Sequence, residues 1–137
     1  MNHHRRTYRL DELVLGFDGE HVHFTWRPYE ERRPEAREGY DRLEADIRER
    51  GLLHPIITHR GHVLIGQRRV EILRKIDAEG GSFHDTLAQL PMFRPAWVVP
   101  CVEIDEDVSR WTAHDVFERL EAFKRQLYGA DAEAWVA

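Results

Sequence analysis

The chain has 137 residues, of which 42% are hydrophobic and 33% are charged, so one folded domain with a sizeable core is expected rather than a disordered chain. The formal net charge of -5 argues against nucleic-acid binding driven by overall charge alone. The single cysteine excludes an internal disulfide, and the sequence shows neither an apolar run long enough to span a membrane nor the apolar core of a signal peptide. We therefore expect a cytoplasmic protein with a single domain over residues 1–137.

The first part of the chain predicts two short strands between polar stretches. Residues 1–7 are polar, and we expect them to be loosely ordered. Strands are expected at 13–15, which is apolar, and at 22–26, where Val22, Phe24 and Trp26 share one face. Asp18-Gly19 between them is typical of a hairpin turn. The segment 27–39 is densely charged and contains two prolines, so we expect a loop.

The middle of the chain predicts a helix, two strands and a second helix, over residues 40–50, 52–58, 62–65 and 67–76. Apolar residues repeat at helical spacing in the first helix, and Gly51 stands where a capping glycine belongs. The two strands are short β-branched runs, and Arg60-Gly61 between them indicates a turn.

The last part predicts a long connection, a strand and a helix. The connection covers 78–95, and Ser82 followed by Asp85 within it is typical of the start of a short helix. A strand is expected at 96–104. A final helix is expected over 112–128, with Thr112 as its capping residue. This order of elements indicates a mixed α/β, or α+β, architecture.

Charge is distributed unevenly along the chain. Between His54 and Lys75 five basic residues accompany a single acidic residue, Glu71, whereas the stretch after Cys101 is rich in Asp and Glu. A locally positive segment on an acidic protein suits a compact anion better than a long polyanion.

The junction Gly66-Gln67-Arg68-Arg69 lies between a predicted strand and a predicted helix, where a phosphate-binding turn is often found. A helix N-terminus presents backbone N–H groups, Gly66 allows a ligand to approach the backbone, and the two arginines add guanidinium donors. Cations at this end oppose the helix dipole, and a bound anion would turn that cost into a gain. The alternative is that both arginines pair with surface carboxylates such as Glu71.

The surrounding sequence resembles the N-terminal domain of the ParB family, also known as the ParB-like nuclease domain. There a helix ends in Ile-x-x-x-Gly-Leu-x-x-Pro-Ile, and two strands lead into Gly-Glu-Arg-Arg and a second helix. The next strand commonly carries Val-Pro. The matching residues, within a resemblance that covers about 40–104, are Ile47, Gly51-Leu52, Pro55-Ile56, Gly66–Arg69 and Val99-Pro100.

The resemblance implies the fold shared by ParB N-terminal domains and sulfiredoxin, and it implies a bound nucleoside triphosphate, CTP or ATP with Mg²⁺. It also implies two groups of binding residues. The phosphates would lie at Gly66, Gln67, Arg68 and Arg69, and the base would lie near Gly51, Leu52, His54 and Pro55. No catalytic residue is identified.

Several departures from the family limit what the resemblance implies about activity. Gln67 stands where the family usually has Glu, the connection at 78–95 is unusually long, and no Glu-Asn-x-Gln-Arg segment follows Ile104. The helix-turn-helix and dimerisation regions of partition proteins do not follow either. Nucleoside triphosphatase and nuclease-like activities therefore stay open, whereas sulfiredoxin chemistry is excluded because it needs a cysteine where Gln67 stands.

Two other functions are compatible with the same sequence. One is a DNA-associated protein, encoded by a phage or mobile element, that binds phosphate backbones through the basic 54–75 segment. The other is an interaction or scaffold module that keeps the fold without nucleotide turnover. The expected partners are thus a nucleotide or DNA and no membrane, and the sequence does not indicate an oligomeric state.

Metal and cysteine chemistry are less favoured. The nine histidines show no zinc-binding spacing, and we expect no metal site of that kind. Cys101 lies in an apolar strand and is expected to be a small core residue rather than a nucleophile. Glu103 and Asp105 are the candidate carboxylates for placing Mg²⁺ beside a triphosphate.

Overall fold

A four-stranded mixed sheet forms the centre of the protein. The computed structural model describes residues 2–15, 29–52, 54–79 and 98–128. In these ranges the strands are β1 (His3–Arg9), β2 (Ile56–His59), β3 (His62–Ile65) and β4 (Val98–Ile104), and their order in the sheet is β1-β4-β2-β3. Strand β4 runs antiparallel to β1 and parallel to β2, while β2 and β3 form the predicted hairpin. The sheet and its helices confirm the α+β expectation.

The helices of the described ranges are α1 (Pro34–Arg50), α2 (Gln67–Ala78) and α3 (Ala113–Tyr128). Helix α1 begins at Pro34 rather than at Tyr40, so the loop expected at 27–39 is wrong over 34–39, while residues 27–28 lie outside the described ranges. Proline is well tolerated in the first turn of a helix, where its missing N–H would have no intrahelical partner, and Pro34 occupies that position. The end of α1 is confirmed, because Gly51 has a φ of 81° and its N–H donates to the Ile47 carbonyl at 2.8 Å.

The start of α3 confirms the predicted cap. The backbone N–H of Asp115 donates to the Thr112 hydroxyl at 3.1 Å, and the backbone N–H of Thr112 donates to the Asp115 carboxylate at 3.1 Å. This reciprocal pair satisfies N–H groups that the first turn of a helix leaves without partners.

Strand β1 corrects the expectation that residues 1–7 are loosely ordered. It pairs with β4 along its whole length, from His3 opposite Ile104 to Arg9 opposite Val98. Most of its side chains are exposed, and only Tyr8 is buried. The strand is held by backbone pairing rather than by an apolar face, so its polar composition carried no strand signal.

The run Leu13–Leu15, predicted as a strand, forms only one isolated bridge, between Val14 and His62. The segment before it makes a 3₁₀ turn, and Arg74 of α2 donates to the carbonyls of Leu10 at 3.0 Å and Leu13 at 2.5 Å. These bonds hold residues 10–13 against α2, and Val14 bonds to the β2–β3 hairpin. The strand predicted at 22–26, its hairpin turn and the short helix expected between 78 and 95 lie outside the described residues.

Glu103 is a buried carboxylate of β4 that connects three parts of the fold. It accepts hydrogen bonds from the Tyr8 hydroxyl at 2.8 Å, from the Thr58 hydroxyl at 2.7 Å and from the backbone N–H of Arg60. Burial alone would raise the pKa of Glu103, but these bonds and one from the backbone N–H of Gly61 lower it below its ordinary value. The carboxylate considered for Mg²⁺ is thus engaged by the fold.

We expect Glu103→Gln to lower the free energy of unfolding at pH 7 by about 2 kcal/mol, because an amide replaces a charged acceptor of several hydrogen bonds. The folded pKa is lowered, so the stabilisation is complete above the ordinary value of 4.5 and is lost as the pH falls through the folded value. Urea unfolding from pH 7 to pH 3 measures the difference between variant and wild type, which should shrink in acid.

The matched control is Glu38→Gln, which changes an exposed carboxylate paired with Arg42 on α1 and should have little effect at either pH. A difference for Glu103→Gln that stays constant across the pH range would contradict the assigned role.

Candidate functional site

Gly66 is the residue at which the chain leaves β3 and enters α2. Its backbone is left-handed, with φ 104° and ψ 21°, and its carbonyl accepts the Val70 N–H at 3.0 Å. A Cβ at this position would lie only 2.7 Å from Cδ1 of Ile56. Glycine is therefore required by the fold itself, because it lets α2 begin in close contact with β2.

The β2–β3 hairpin brings residues of the predicted phosphate group and of the predicted base group to the same end. Ile57 of β2 pairs with Ile65 of β3, so His54 and Pro55, which precede β2, lie at the same end of the hairpin as Gly66. Both residues are partly exposed. The other two residues predicted to lie near the base follow the end of α1 and are buried: Gly51 and Leu52.

Gln67 faces back toward the sheet. Its side-chain Nε2 donates to the carbonyl of Val63 in β3 at 3.2 Å, and the side chain is partly buried. This bond ties the first residue of α2 to the strand before it, which helps to fix the direction in which the helix leaves the sheet.

Arg68 and Arg69 occupy different environments, as expected for successive helical residues. Arg68 is partly exposed, whereas only 3% of Arg69 is exposed. Burial lowers the pKa of Arg68, and the charges of Arg32 and Arg69 lower it further, while Glu71 opposes them. The guanidinium remains charged at neutral pH, but it lies in a positive and partly desolvated environment.

Arg32 is the site residue that the sequence pattern did not indicate. It lies just before α1, and its guanidinium forms an ion pair with Glu71 of α2 while standing 5.5 Å from the centre of the Tyr40 ring. Glu71 is three residues after Arg68 and therefore a neighbour on the helix surface. The only signal for Arg32 in the sequence was its position in a charged stretch, because its pairing with Glu71 depends on how α1 and α2 pack.

Arg74 and Lys75 of α2 have partners within the fold. Lys75 donates to Glu44 of α1 at 2.8 Å, and the same carboxylate accepts from Arg48 at 2.9 Å. Arg48 also contacts Glu79 at 2.8 Å, while Arg74 holds the segment after β1. The charge of Lys75 is thus paired with a carboxylate of α1, and the Arg74 guanidinium is bonded to backbone carbonyls.

Cys101 is a buried residue of β4 rather than a reactive thiol. Burial raises its pKa to about 12, with a further contribution from the negative charge of Glu103. His59 and His62 of the hairpin are buried as well. Within the described ranges, no three His, Cys, Asp or Glu side chains come together in a way that would hold a metal ion.

Comparisons with protein-family models, with curated proteins and with solved structures give no significant match. The resemblance to the ParB family therefore rests on the motif residues alone. Across residues 2–15, 29–52, 54–79 and 98–128, no helix combines the length and apolar character needed to cross a bilayer.

We expect Gly66→Ala to destabilise the protein by more than the ~1–2 kcal/mol of a left-handed backbone, because its new methyl group also meets Ile56. Ile56→Val removes the Cδ1 atom that this methyl group would contact. Gly66→Ala should therefore cost less in an Ile56→Val background, as measured by urea unfolding of both single variants and the double variant. Simple additivity of the two changes would show that the contact does not restrict this position.

We expect Cys101 to resist a thiol reagent at pH 8 in the folded protein, because the thiol is buried and its pKa is about 12. Labelling should reach one equivalent only after denaturation. Fast stoichiometric labelling of the folded protein would contradict its assignment to the core.

Proposed function

We propose that the protein binds a nucleoside triphosphate, CTP or ATP with Mg²⁺, and that the phosphates lie at the start of α2. The observation that carries the proposal is a group of arginines at this end of the helix. Arg32 pairs with Glu71, and Arg68 lies within electrostatic range of Arg32, Arg69 and Glu71. The backbone N–H groups of the first helical turn add donors that have no intrahelical partner.

The energy of the arginine cluster supports an anionic ligand. Like charges repel, and the repulsion grows where burial lowers the effective dielectric. The helix dipole adds a further unfavourable contribution for cations at this end. A phosphate group here would oppose the repulsion that Arg32 and Arg69 exert on Arg68.

The resemblance to the ParB family supports a nucleotide as the source of the phosphates. Gly66, Gln67, Arg68 and Arg69 match the phosphate turn of that family, and the base would lie near the 51–55 segment. Among the described residues of the segment, His54 and Pro55 are partly exposed, so we assign base contacts to them and a supporting role to Gly51 and Leu52.

The placement of the basic residues favours a compact anion over DNA. Arg74 and Lys75 are engaged within the fold, and Arg60 lies at the turn of the β2–β3 hairpin, at the end opposite to Gly66. The basic 54–75 segment is therefore divided in space. A long phosphate backbone would be better matched by cations along one continuous face.

Binding rather than turnover is proposed. Glu71 is the carboxylate beside the arginine cluster, and it is already paired with Arg32. A role as a general base would require it to leave that pair. A module that keeps the nucleotide without hydrolysing it, or an interaction module of the same fold, is consistent with this arrangement.

We expect Arg68→Ala to weaken CTP or ATP binding at least tenfold, or about 1.4 kcal/mol, because Arg68 is the partly exposed arginine of the turn. Calorimetric titration with each nucleotide and Mg²⁺ measures the change. The matched control is Arg42→Ala, since Arg42 is an exposed arginine on α1 that pairs with Glu38 and should not affect the affinity.

A wild-type protein that binds neither nucleotide would contradict the proposal. Ligand at a hundred times its Kd should stabilise the fold by about 2.7 kcal/mol, so a thermal-shift panel gives an independent readout. A DNA gel shift that is strong at low salt and lost at high salt, without nucleotide binding, would favour the DNA-associated alternative.

A further inference from the structure

Arg32 and Glu71 form an ion pair between the segment before α1 and the second turn of α2. The side chains are 9% and 14% exposed, respectively. We infer that Arg32 is a third phosphate-binding arginine and that Glu71 is the residue that positions it. The inference rests on the proposed function, since it concerns the same phosphate site at the start of α2.

Two contacts restrain the Arg32 guanidinium from different directions. The Glu71 carboxylate binds one of its terminal nitrogens, and the Tyr40 ring lies 5.5 Å from its central carbon, within the range of a cation–π interaction. A guanidinium restrained in this way loses little rotational freedom when it binds a ligand. Arg32 is therefore preorganised rather than recruited from solvent.

The position of Glu71 on α2 brings Arg32 to the site. Residues three apart on a helix are neighbours on its surface, so Glu71 lies beside Arg68. An arginine held by Glu71 is consequently close to the N-terminal turn of α2. Arg32 reaches this place because α1 and α2 pack against each other.

Stability alone gives a weak reason for this pair. Removing two charges from water is unfavourable, and a buried ion pair is often no more stable than a well-packed apolar pair. The Arg32–Glu71 pair is better explained by what it places next to Arg68 than by a gain in stability.

The charges of the cluster indicate the class of ligand. Arg32 and Arg68 each present a planar guanidinium group near the start of α2. A di- or triphosphate chain presents several anionic oxygens to planar guanidinium forks, whereas a carboxylate or a single phosphate monoester presents fewer. The site should therefore prefer a polyphosphate chain.

Two possible roles of Glu71 predict opposite effects of Glu71→Gln on the affinity for an anion. If Glu71 is only a competing negative charge, its removal should tighten the binding of an anion. If Glu71 positions Arg32, its removal should weaken binding, although the protein becomes more positive. A purely structural role would change the melting temperature without changing the affinity of the folded protein.

The test is calorimetric titration of the full chain with inorganic triphosphate, inorganic phosphate and CTP. We expect triphosphate to bind more tightly than phosphate, Arg32→Ala to weaken triphosphate binding about tenfold, and Glu71→Gln to weaken it about threefold. Arg32→Lys keeps the charge but loses the planar fork, and it should lie between wild type and Arg32→Ala.

The matched control is Glu44→Gln, which removes another partly buried carboxylate from ion pairs between α1 and α2 but lies further from the start of α2. It should leave the affinity for triphosphate unchanged. If Arg32→Ala does not fold, Arg32→Lys and Glu71→Gln decide the question.

Three results would overturn the inference. Tighter binding by Glu71→Gln would show that Glu71 is a competing charge. Unchanged binding by the Arg32 variants, together with weakened binding by Arg68→Ala, would remove Arg32 from the site and leave the proposed function standing. Absence of triphosphate and CTP binding by the wild type would overturn both proposals.

Discussion

The buried carboxylate of Glu103 is the constraint on which the rest of the fold depends. A charge taken out of water costs several kcal/mol unless donors replace the water, so each of its hydrogen bonds is effectively obligatory. The donors come from Tyr8 in β1, Thr58 in β2 and the backbone at Arg60 in the following turn. Together they fix one end of the β2–β3 hairpin against β4. Because the hairpin is short, the position of this end also determines the position of its other end, where Gly66 leads into the N-terminus of α2.

Gly66 and the arginines carry different weight as evidence for function. The contact between Gly66 and Ile56 accounts for the glycine without any ligand, because the fold already demands a left-handed residue without a Cβ. Arg32 and Arg68 place like charges near the positive end of a helix, where the helix dipole is unfavourable for cations. The proposed phosphate binding therefore depends on the arginines rather than on the glycine turn.

Local signals predicted much of the fold, and tertiary contacts decided the rest. The end of α1 at Gly51 and the cap of α3 at Thr112 follow from neighbouring residues, so they could be predicted. Strand β1 could not, because an exposed strand at the sheet edge has no apolar alternation. At the site, the spacing of Arg68 and Arg69 predicted different orientations but not which one is buried. Arg32 was missed because its pairing joins residues 39 positions apart.

The pairing of β1 with β4 has a consequence for the order of folding. Tyr8 and Glu103 are 95 residues apart in the chain, whereas the β2–β3 hairpin joins neighbouring residues. During synthesis β1 leaves the ribosome long before β4, so the β2–β3 hairpin and the helices α1 and α2 can form before β1 pairs. Closing such a long loop carries an entropic cost that local contacts avoid. We therefore expect the sheet to be completed late, and contacts made by Tyr8 to slow unfolding more than they accelerate folding.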